Sequence, residues 1–141
     1  MIEIPVIQNP NAPVWQPPQV KTIRRKTRKV LVGGVAVGGD APISVQTMTK
    51  SKTADVKATL EQIHKAAEAG CDIVRVTVND KQAAAAMADI VKGSPIPVVA
   101  DIHFNHIFAL EAVAAGVAKV RINPGNIGSI DRIHQVLRAA K

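Results

Sequence analysis

The chain has 141 residues, a formal net charge of +7, and only 2% aromatic residues. This length predicts one domain. The scarcity of aromatic side chains argues against a protein that binds single-stranded nucleic acid by stacking. The lone Cys71 excludes an internal disulfide and cannot by itself hold a zinc ion or an iron–sulfur cluster. Apolar runs fall short of the ~18 residues of a membrane span, and no secretory signal opens the chain, so we expect a cytoplasmic protein without membrane association.

The first part of the chain differs in composition from the rest. Residues 1–20 hold five of the nine prolines and lack apolar periodicity, which predicts an extended, poorly ordered tail. Residues 21–29 then carry six basic side chains and no acidic one, and the remainder of the chain is nearly balanced in charge. This basic run can bind phosphate backbones, or it can be a solvated lead-in to a strand. No aromatic or recognition motif accompanies it, which argues against nucleic-acid binding.

A β-hairpin is predicted at about residues 28–38. Two short β-prone runs, Val30-Leu31-Val32 and Val35-Ala36-Val37, flank the pair Gly33-Gly34. A glycine pair between such runs is typical of a two-residue hairpin turn.

From residue 44 onward, predicted strands alternate with predicted helices. The strands are expected at 44–49, 73–78, 97–102 and 117–123, and the helices at 55–69, 81–91, 106–115 and 130–140. Gly70 and Gly116 follow two of the helices, where glycine is the favoured residue. Short crossovers between strands require a parallel sheet with right-handed connections, so the fold class is α/β.

The sequence also contains an internal repeat. Residues 66–77 resemble residues 112–123 at an offset of 46 residues, which is two strand–helix units. Such repeats are expected of a (β/α) barrel or of another regular α/β array. Four units are half of an eight-fold barrel, so we expect the chain to pair with another half or to belong to a longer protein. A small open α/β sheet is the alternative, and it fits less well because polar residues gather at one end of the strands.

Polar side chains follow one face of each predicted strand, since residues two apart along a strand share a face. The residues on that face are, in strand order, Gln46 and Met48, Arg75, Asp101 and His103, and Arg121 and Asn123. In a parallel barrel this is the carboxyl-terminal rim, where active sites form.

The residue types on this rim favour an anionic ligand. Two arginines can bind phosphate oxygens through paired N–H groups, and His103 can donate from its ring. Asn123 precedes a glycine-rich turn at residues 124–129 and then a helix, and helix starts favour phosphate. The alternative for Arg75 and Arg121 is ion pairing with Asp72, with Asp101 or with a neighbouring strand. Asp101 is either a general base or, as we favour, the partner that holds an arginine or His103.

Four motifs in this order resemble the 4-hydroxy-3-methylbut-2-enyl diphosphate synthases, the iron–sulfur enzymes of the methylerythritol phosphate route to isoprenoids. The motifs are VQTMT at 45–49, DIVRV at 72–76, VADIHF at 99–104 and RINPGNIG at 121–128. The resemblance covers about residues 22–141 and excludes the proline-rich tail.

This resemblance implies an eight-stranded (β/α) barrel followed by a domain with a [4Fe–4S] cluster, in a homodimer. The family opens 2-C-methyl-D-erythritol 2,4-cyclodiphosphate reductively, with electrons from flavodoxin or ferredoxin. Positions matching Arg75, His103, Arg121 and Asn123 belong to its diphosphate site. We include Asp101 and Gln46 in the predicted substrate site.

The chain departs from the family pattern at its far end. The three cysteines and the glutamate that hold the cluster in the family have no counterpart here. We therefore expect residues 21–141 to be the N-terminal half of the barrel, preceded by its hairpin, and inactive alone. Two other hypotheses are a stand-alone phosphate-binding half-barrel and a basic protein that associates with nucleic acid through residues 21–29.

Overall fold

The fold is organised around a four-stranded parallel sheet. The computed structural model describes residues 25–141, so the predicted tail at 1–20 lies outside the described residues. The sheet strands are β3 (Gln46–Met48), β4 (Ile73–Val78), β5 (Val98–Ile102) and β6 (Lys119–Ile122). They lie in the order β3-β4-β5-β6 and all pairs are parallel, which confirms the predicted parallel α/β sheet.

A two-stranded antiparallel ribbon precedes the sheet. It consists of β1 (Val30–Val32) and β2 (Val35–Val37), with Val32 opposite Val35 across Gly33-Gly34. Gly33 has a φ of +56°, and a Cβ there would lie 3.0 Å from Pro97. Glycine at this turn therefore satisfies both the backbone angle and the close approach to the main sheet.

Helices follow the four sheet strands. They are α1 (Val56–Glu68), α2 (Lys81–Gly93), α3 (His106–Ala114), the single turn α4 (Pro124–Ile127) and α5 (Ile130–Ala139). Asp55, Asp80 and Asn105 precede the first three helices and accept a hydrogen bond from a first-turn N–H group. These side chains satisfy donors that have no partner inside the helix, and so fix where each helix begins.

The four long helices match the predicted ones within a few residues, and the strands differ mainly in length. β3 is shorter than the predicted 44–49, and β6 is shorter than the predicted 117–123. Sequence patterns mark extended backbone, whereas a strand counts only where neighbours exchange hydrogen bonds. The glycine-rich turn at 124–129 contains the extra turn α4, anchored by the fully buried Ile127.

The two faces of the sheet have different partners. Val74, Val76 and Val78 of β4 belong to a core cluster with residues of all four long helices, including Ile63 of α1 and Val136 of α5. The residues that alternate with these along each strand face away from the helices. Among them Ile73 and Val99 pack with Val32, Val35 and Val37 of the β1–β2 ribbon. The helices therefore cover one face, and the ribbon covers the amino-terminal part of the other.

Within residues 25–141, no helix is long and apolar enough to cross a membrane.

The internal repeat produces the same helix ending twice. Gly70 N–H donates to Ala67 O and Cys71 N–H to Ala66 O after α1. After α3, Gly116 N–H donates to Val113 O and Val117 N–H donates to Ala112 O in the same way. Gly70 and Gly116 have φ of +88° and +86°. This is the Schellman motif, which requires left-handed backbone at the glycine.

Replacing Gly70 with Ala should lower the free energy of unfolding by about 1–2 kcal/mol, the cost of left-handed backbone for an L-residue. No atom lies within 4 Å of a Cβ at this position, so the backbone angle alone causes the loss. Urea denaturation followed by circular dichroism measures it. Gly34→Ala is the matched control, because Gly34 also has open space but no positive φ. Equal stability of the Gly70 and Gly34 variants would contradict the assignment.

Candidate functional site

A buried carboxylate lies at the centre of the polar face of the sheet. Asp101 is in β5, whose five residues are all buried, and it is only 2% exposed. Val98, Ala100 and Ile102 alternate with it and pack toward the helices, so Asp101 faces the opposite side. A buried carboxylate requires partners that compensate for its lost hydration.

Arginines from the two neighbouring strands supply that compensation. Arg121 Nη1 of β6 donates to Asp101 Oδ1 at 2.9 Å, and Arg75 Nε of β4 lies 3.3 Å from Asp101 Oδ2. The strand register sets Asp101 beside Arg121, whereas Arg75 lies beside Val99, two residues nearer the start of β5. The backbones of the two arginines therefore lie at different depths in the sheet, yet both side chains reach one carboxylate.

His103 completes the cluster just beyond the end of β5. Its Nε2 lies 3.8 Å from Asp101 Oδ2, and the imidazole is partly exposed. This separation is longer than a hydrogen bond. The ring is thus close to the carboxylate while part of it remains open to solvent.

The four side chains, which we call the Asp101 cluster (Arg75, Asp101, His103 and Arg121), retain capacity for an anion. Arg75 Nη2 donates to Met48 Sδ at 3.2 Å, a weak acceptor. Asp101 is the one carboxylate within ion-pair distance of either arginine among residues 25–141. Since each guanidinium carries five N–H donors, donors remain on both. Two cations around one carboxylate leave a net positive charge that favours a phosphate-like ligand.

Asn123 is near the cluster in sequence but has a local role. It precedes α4, and its Oδ1 accepts the Gly125 N–H at 3.1 Å. The first free N–H group of the glycine-rich turn is therefore already occupied by a side chain of this chain. The Nδ2 amide of Asn123 is the group left to donate to a ligand.

Gln46 lies apart from the Asp101 cluster. It is exposed and lies beside Ile73, whereas Met48 lies beside Arg75. Its side chain makes no hydrogen bond to another residue of the described part of the chain. The sequence pattern predicts the strand that contains Gln46. It does not show how far along the sheet Gln46 lies from the two arginines.

Asp72 and Cys71 have hydrogen-bond partners outside the Asp101 cluster. Asp72 is not an arginine partner, because its Oδ2 accepts the Val45 N–H at 2.7 Å. Cys71 is buried, and its thiol donates to Ile73 O at 3.0 Å. No group of three or more His, Cys, Asp or Glu side chains within residues 25–141 is arranged to hold a metal ion.

The described end of the basic run contacts the ribbon region. Thr27 Oγ1 accepts the Gly39 N–H at 2.8 Å, and Lys29 forms an ion pair with Asp40. These contacts favour the interpretation of the run as a lead-in to β1. Residues 21–24 lie outside the described part.

Sequence reasoning missed two features of the site. The strand pattern predicts the face on which Met48 lies but carries no sign that its sulfur accepts a hydrogen bond from Arg75. Phe104, directly after His103, has a φ of +63°, the only positive φ at a non-glycine residue in 25–141. Neither feature has a signal in residue type or spacing.

Comparison with known proteins gives a family. The model of the GcpE TIM-barrel domain matches residues 27–141. This match covers most of the chain and all of the Asp101 cluster. The chain belongs to the GcpE TIM-barrel family.

Two curated relatives are each named 4-hydroxy-3-methylbut-2-en-1-yl diphosphate synthase (flavodoxin). The protein from Zymomonas mobilis is 57% identical over 118 residues, covering 84% of this chain and 31% of the relative. The protein from Ruegeria pomeroyi is 58% identical over 118 residues, with 84% and 32% covered. The chain thus spans about a third of the length of these relatives. Among solved structures, a mandelate oxidase variant aligns at 16% identity with a TM-score of 0.49, over 68% of this chain and 40% of that chain.

Asp101→Asn should destabilise the chain by about 1.5–3 kcal/mol, the range for hydrogen bonds to charged groups. The substitution removes the charge that both arginines face, while the amide keeps the shape of the side chain. Chemical denaturation measures the change.

Asp89→Asn is the control for this substitution, because Asp89 is an exposed acid on α2. It should change stability by no more than a few tenths of a kcal/mol. If the two variants were equally stable, Asp101 would not be the anchor of the arginines.

Proposed function

We propose that this chain forms the first four strand–helix units of the barrel of a 4-hydroxy-3-methylbut-2-enyl diphosphate synthase and contributes the rim that binds the substrate diphosphate. The observation that carries the proposal is the Asp101 cluster, two arginines and a histidine around one buried carboxylate. Asp101 and Arg121 lie near the carboxyl-terminal ends of β5 and β6, His103 lies just beyond β5, and Arg75 reaches Asp101 from β4. The carboxyl-terminal end of the strands is the position of active sites in barrels of this type.

The arrangement of the sheet supports the proposal that its four strands are part of a larger barrel. Strand order follows chain order, and helices lie on one face only, as in a barrel and unlike a doubly wound sheet. β3 and β6 are edge strands in the described part of the chain. Ile43 and Val45, next to β3, are 85% and 55% exposed. Further strands pairing with these edges would close the barrel and cover such apolar surface.

Within this proposal each residue of the cluster has a binding role. Arg75 and Arg121 donate paired N–H groups to phosphate oxygens, and Asp101 holds both guanidinium groups in place before the ligand arrives. His103 donates from its ring, and Asn123 from Nδ2. Gln46 lies nearer the base of the barrel, so any contact with the substrate would need a ligand group that reaches past Met48.

The family's [4Fe–4S] cluster does not fit the residues of this chain. The sequence has one cysteine, and its thiol is buried and donates to a backbone carbonyl. The cluster ligands would have to come from chain beyond these 141 residues. In the whole enzyme we propose 2-C-methyl-D-erythritol 2,4-cyclodiphosphate as substrate, flavodoxin as electron donor with ferredoxin as the alternative, and a homodimer.

A chimera tests the proposed function directly. This chain is joined to the part of the Zymomonas mobilis relative that follows its matched segment, and the protein is reconstituted anaerobically. We expect conversion of the cyclic diphosphate with reduced flavodoxin, and none from this chain alone. A chimera that folds and holds its cluster but neither binds nor converts the cyclic diphosphate would overturn the proposal.

Arg75→Lys and Arg121→Lys in the chimera should each weaken substrate binding by about ten- to a hundredfold, as expected from loss of a charged hydrogen bond of roughly 1.5–3 kcal/mol. Lysine keeps the charge but loses the planar fork that grips two oxygens. Titration calorimetry measures the affinity, and thermal unfolding reports the fold.

Arg138→Lys is the matched control, because Arg138 is an exposed residue in the last turn of α5, outside the cluster. It should leave affinity unchanged. Unaltered affinity together with reduced stability in the Arg75 and Arg121 variants would make these arginines structural partners of Asp101 only.

A further inference from the structure

A strained turn connects the Asp101 cluster to helix α3. Asn105 N–H donates to His103 O at 2.8 Å, a hydrogen bond that spans only three residues and closes a γ-turn. Its central residue, Phe104, has a φ of +63°. Positive φ at the centre defines the classic γ-turn, the rare and strained form. For a bulky side chain this backbone region is a genuine outlier.

The structure on both sides holds this turn in place. On the preceding side, β5 is buried along its whole length and pairs with β4 and β6. On the following side, Asn105 Oδ1 accepts the Ile107 N–H at 3.0 Å and so begins α3. Ala109 and Ala112 fix α3 in the core. Strained backbone persists where its surroundings determine it in this way, and such positions cluster at functional sites.

Burial of the Phe104 side chain does not explain the strain. The residue is 70% exposed, so its ring gains little from the hydrophobic effect. Its one aromatic neighbour in the described chain is His103, with ring centroids 6.1 Å apart and planes tilted by 45°. That separation is within the range of favourable aromatic pairs. The ring therefore lies against the imidazole that approaches Asp101.

We propose that Phe104 is a positioning residue: its ring, set in place by the γ-turn, holds the His103 imidazole beside Asp101 at the mouth of the barrel. The ligand consequence rests on the proposed function, because it assumes that His103 donates to the bound diphosphate. The placement of His103 itself does not depend on any ligand.

Phe104→Gly separates this role from a purely structural one. Glycine adopts positive φ freely, and little buried surface is lost, so the thermal unfolding temperature should stay equal or rise. Affinity of the chimera for the cyclic diphosphate should fall about three- to tenfold, the effect of losing one hydrogen bond. His103→Ala should cause a loss of the same size. A residue that only supports the fold would lower stability and affinity together.

The double variant decides whether Phe104 acts through His103. In the His103→Ala background, Phe104→Gly should cause no further loss of affinity, because the group it positions is gone. An equal loss in both backgrounds would overturn the proposal, since the ring would then contact the ligand itself. Ile107→Ala is the matched control, because Ile107 is an exposed apolar residue three positions on, and it should leave affinity unchanged.

A measurement without ligand keeps the test independent of the proposed function. In NMR spectra of the 141-residue chain, the His103 ring protons should show nuclear Overhauser contacts to the Phe104 ring. In Phe104→Gly, and in Phe104→Asn, which also tolerates positive φ, the χ1 couplings of His103 should move toward rotamer-averaged values, a readout that loss of the Phe104 ring current does not change. Unchanged His103 χ1 couplings in both variants would overturn the positioning role, even if the diphosphate site were correct.

Discussion

The buried carboxylate of Asp101 is the constraint on which the rest of the site depends. It lies in the most buried strand of the sheet, where an uncompensated charge would cost several kcal/mol. Arg75 and Arg121 supply the compensation from both neighbouring strands. These ion pairs compensate for the buried charge, and they also fix the arginine side chains, which would otherwise be flexible. A ligand that binds these arginines finds their side chains already ordered, so less entropy is lost on binding.

The two faces of the sheet follow from the same alternation of residues. Valines of one parity in β4 pack under the helices, and the opposite parity carries Arg75 and Thr77. All long helices pack on one face of the sheet. The other face is covered at its amino-terminal end, where the β1–β2 ribbon packs on Ile73 and Val99. The carboxyl-terminal end of this face stays open. The guanidinium groups and the partly exposed His103 imidazole lie there.

Sequence periodicity was sufficient to gather Arg75, Asp101, His103 and Arg121 on one face, because alternation along a strand is a strict geometric rule. It was insufficient where a side chain bonds to nearby backbone. Asn123 shares the predicted face, yet its Oδ1 caps α4. Gln46 shares it too, but the strand register sets it beside Ile73. The turn at Phe104 depends on how β5 and α3 are joined in space, and no residue type or spacing encodes that angle.

The internal repeat explains why one carboxylate serves two arginines. Arg75 and Arg121 occupy equivalent positions in the two copies, but register places Arg121 level with Asp101 and Arg75 level with Val99. Two residues along a strand correspond to about 6.6 Å, so the two arginine backbones lie at different depths in the sheet. Both side chains nevertheless reach Asp101, Arg121 at Oδ1 and Arg75 at Oδ2, because an arginine side chain is long enough to span that offset. The duplicated arginines therefore converge on one carboxylate although the register does not set them side by side.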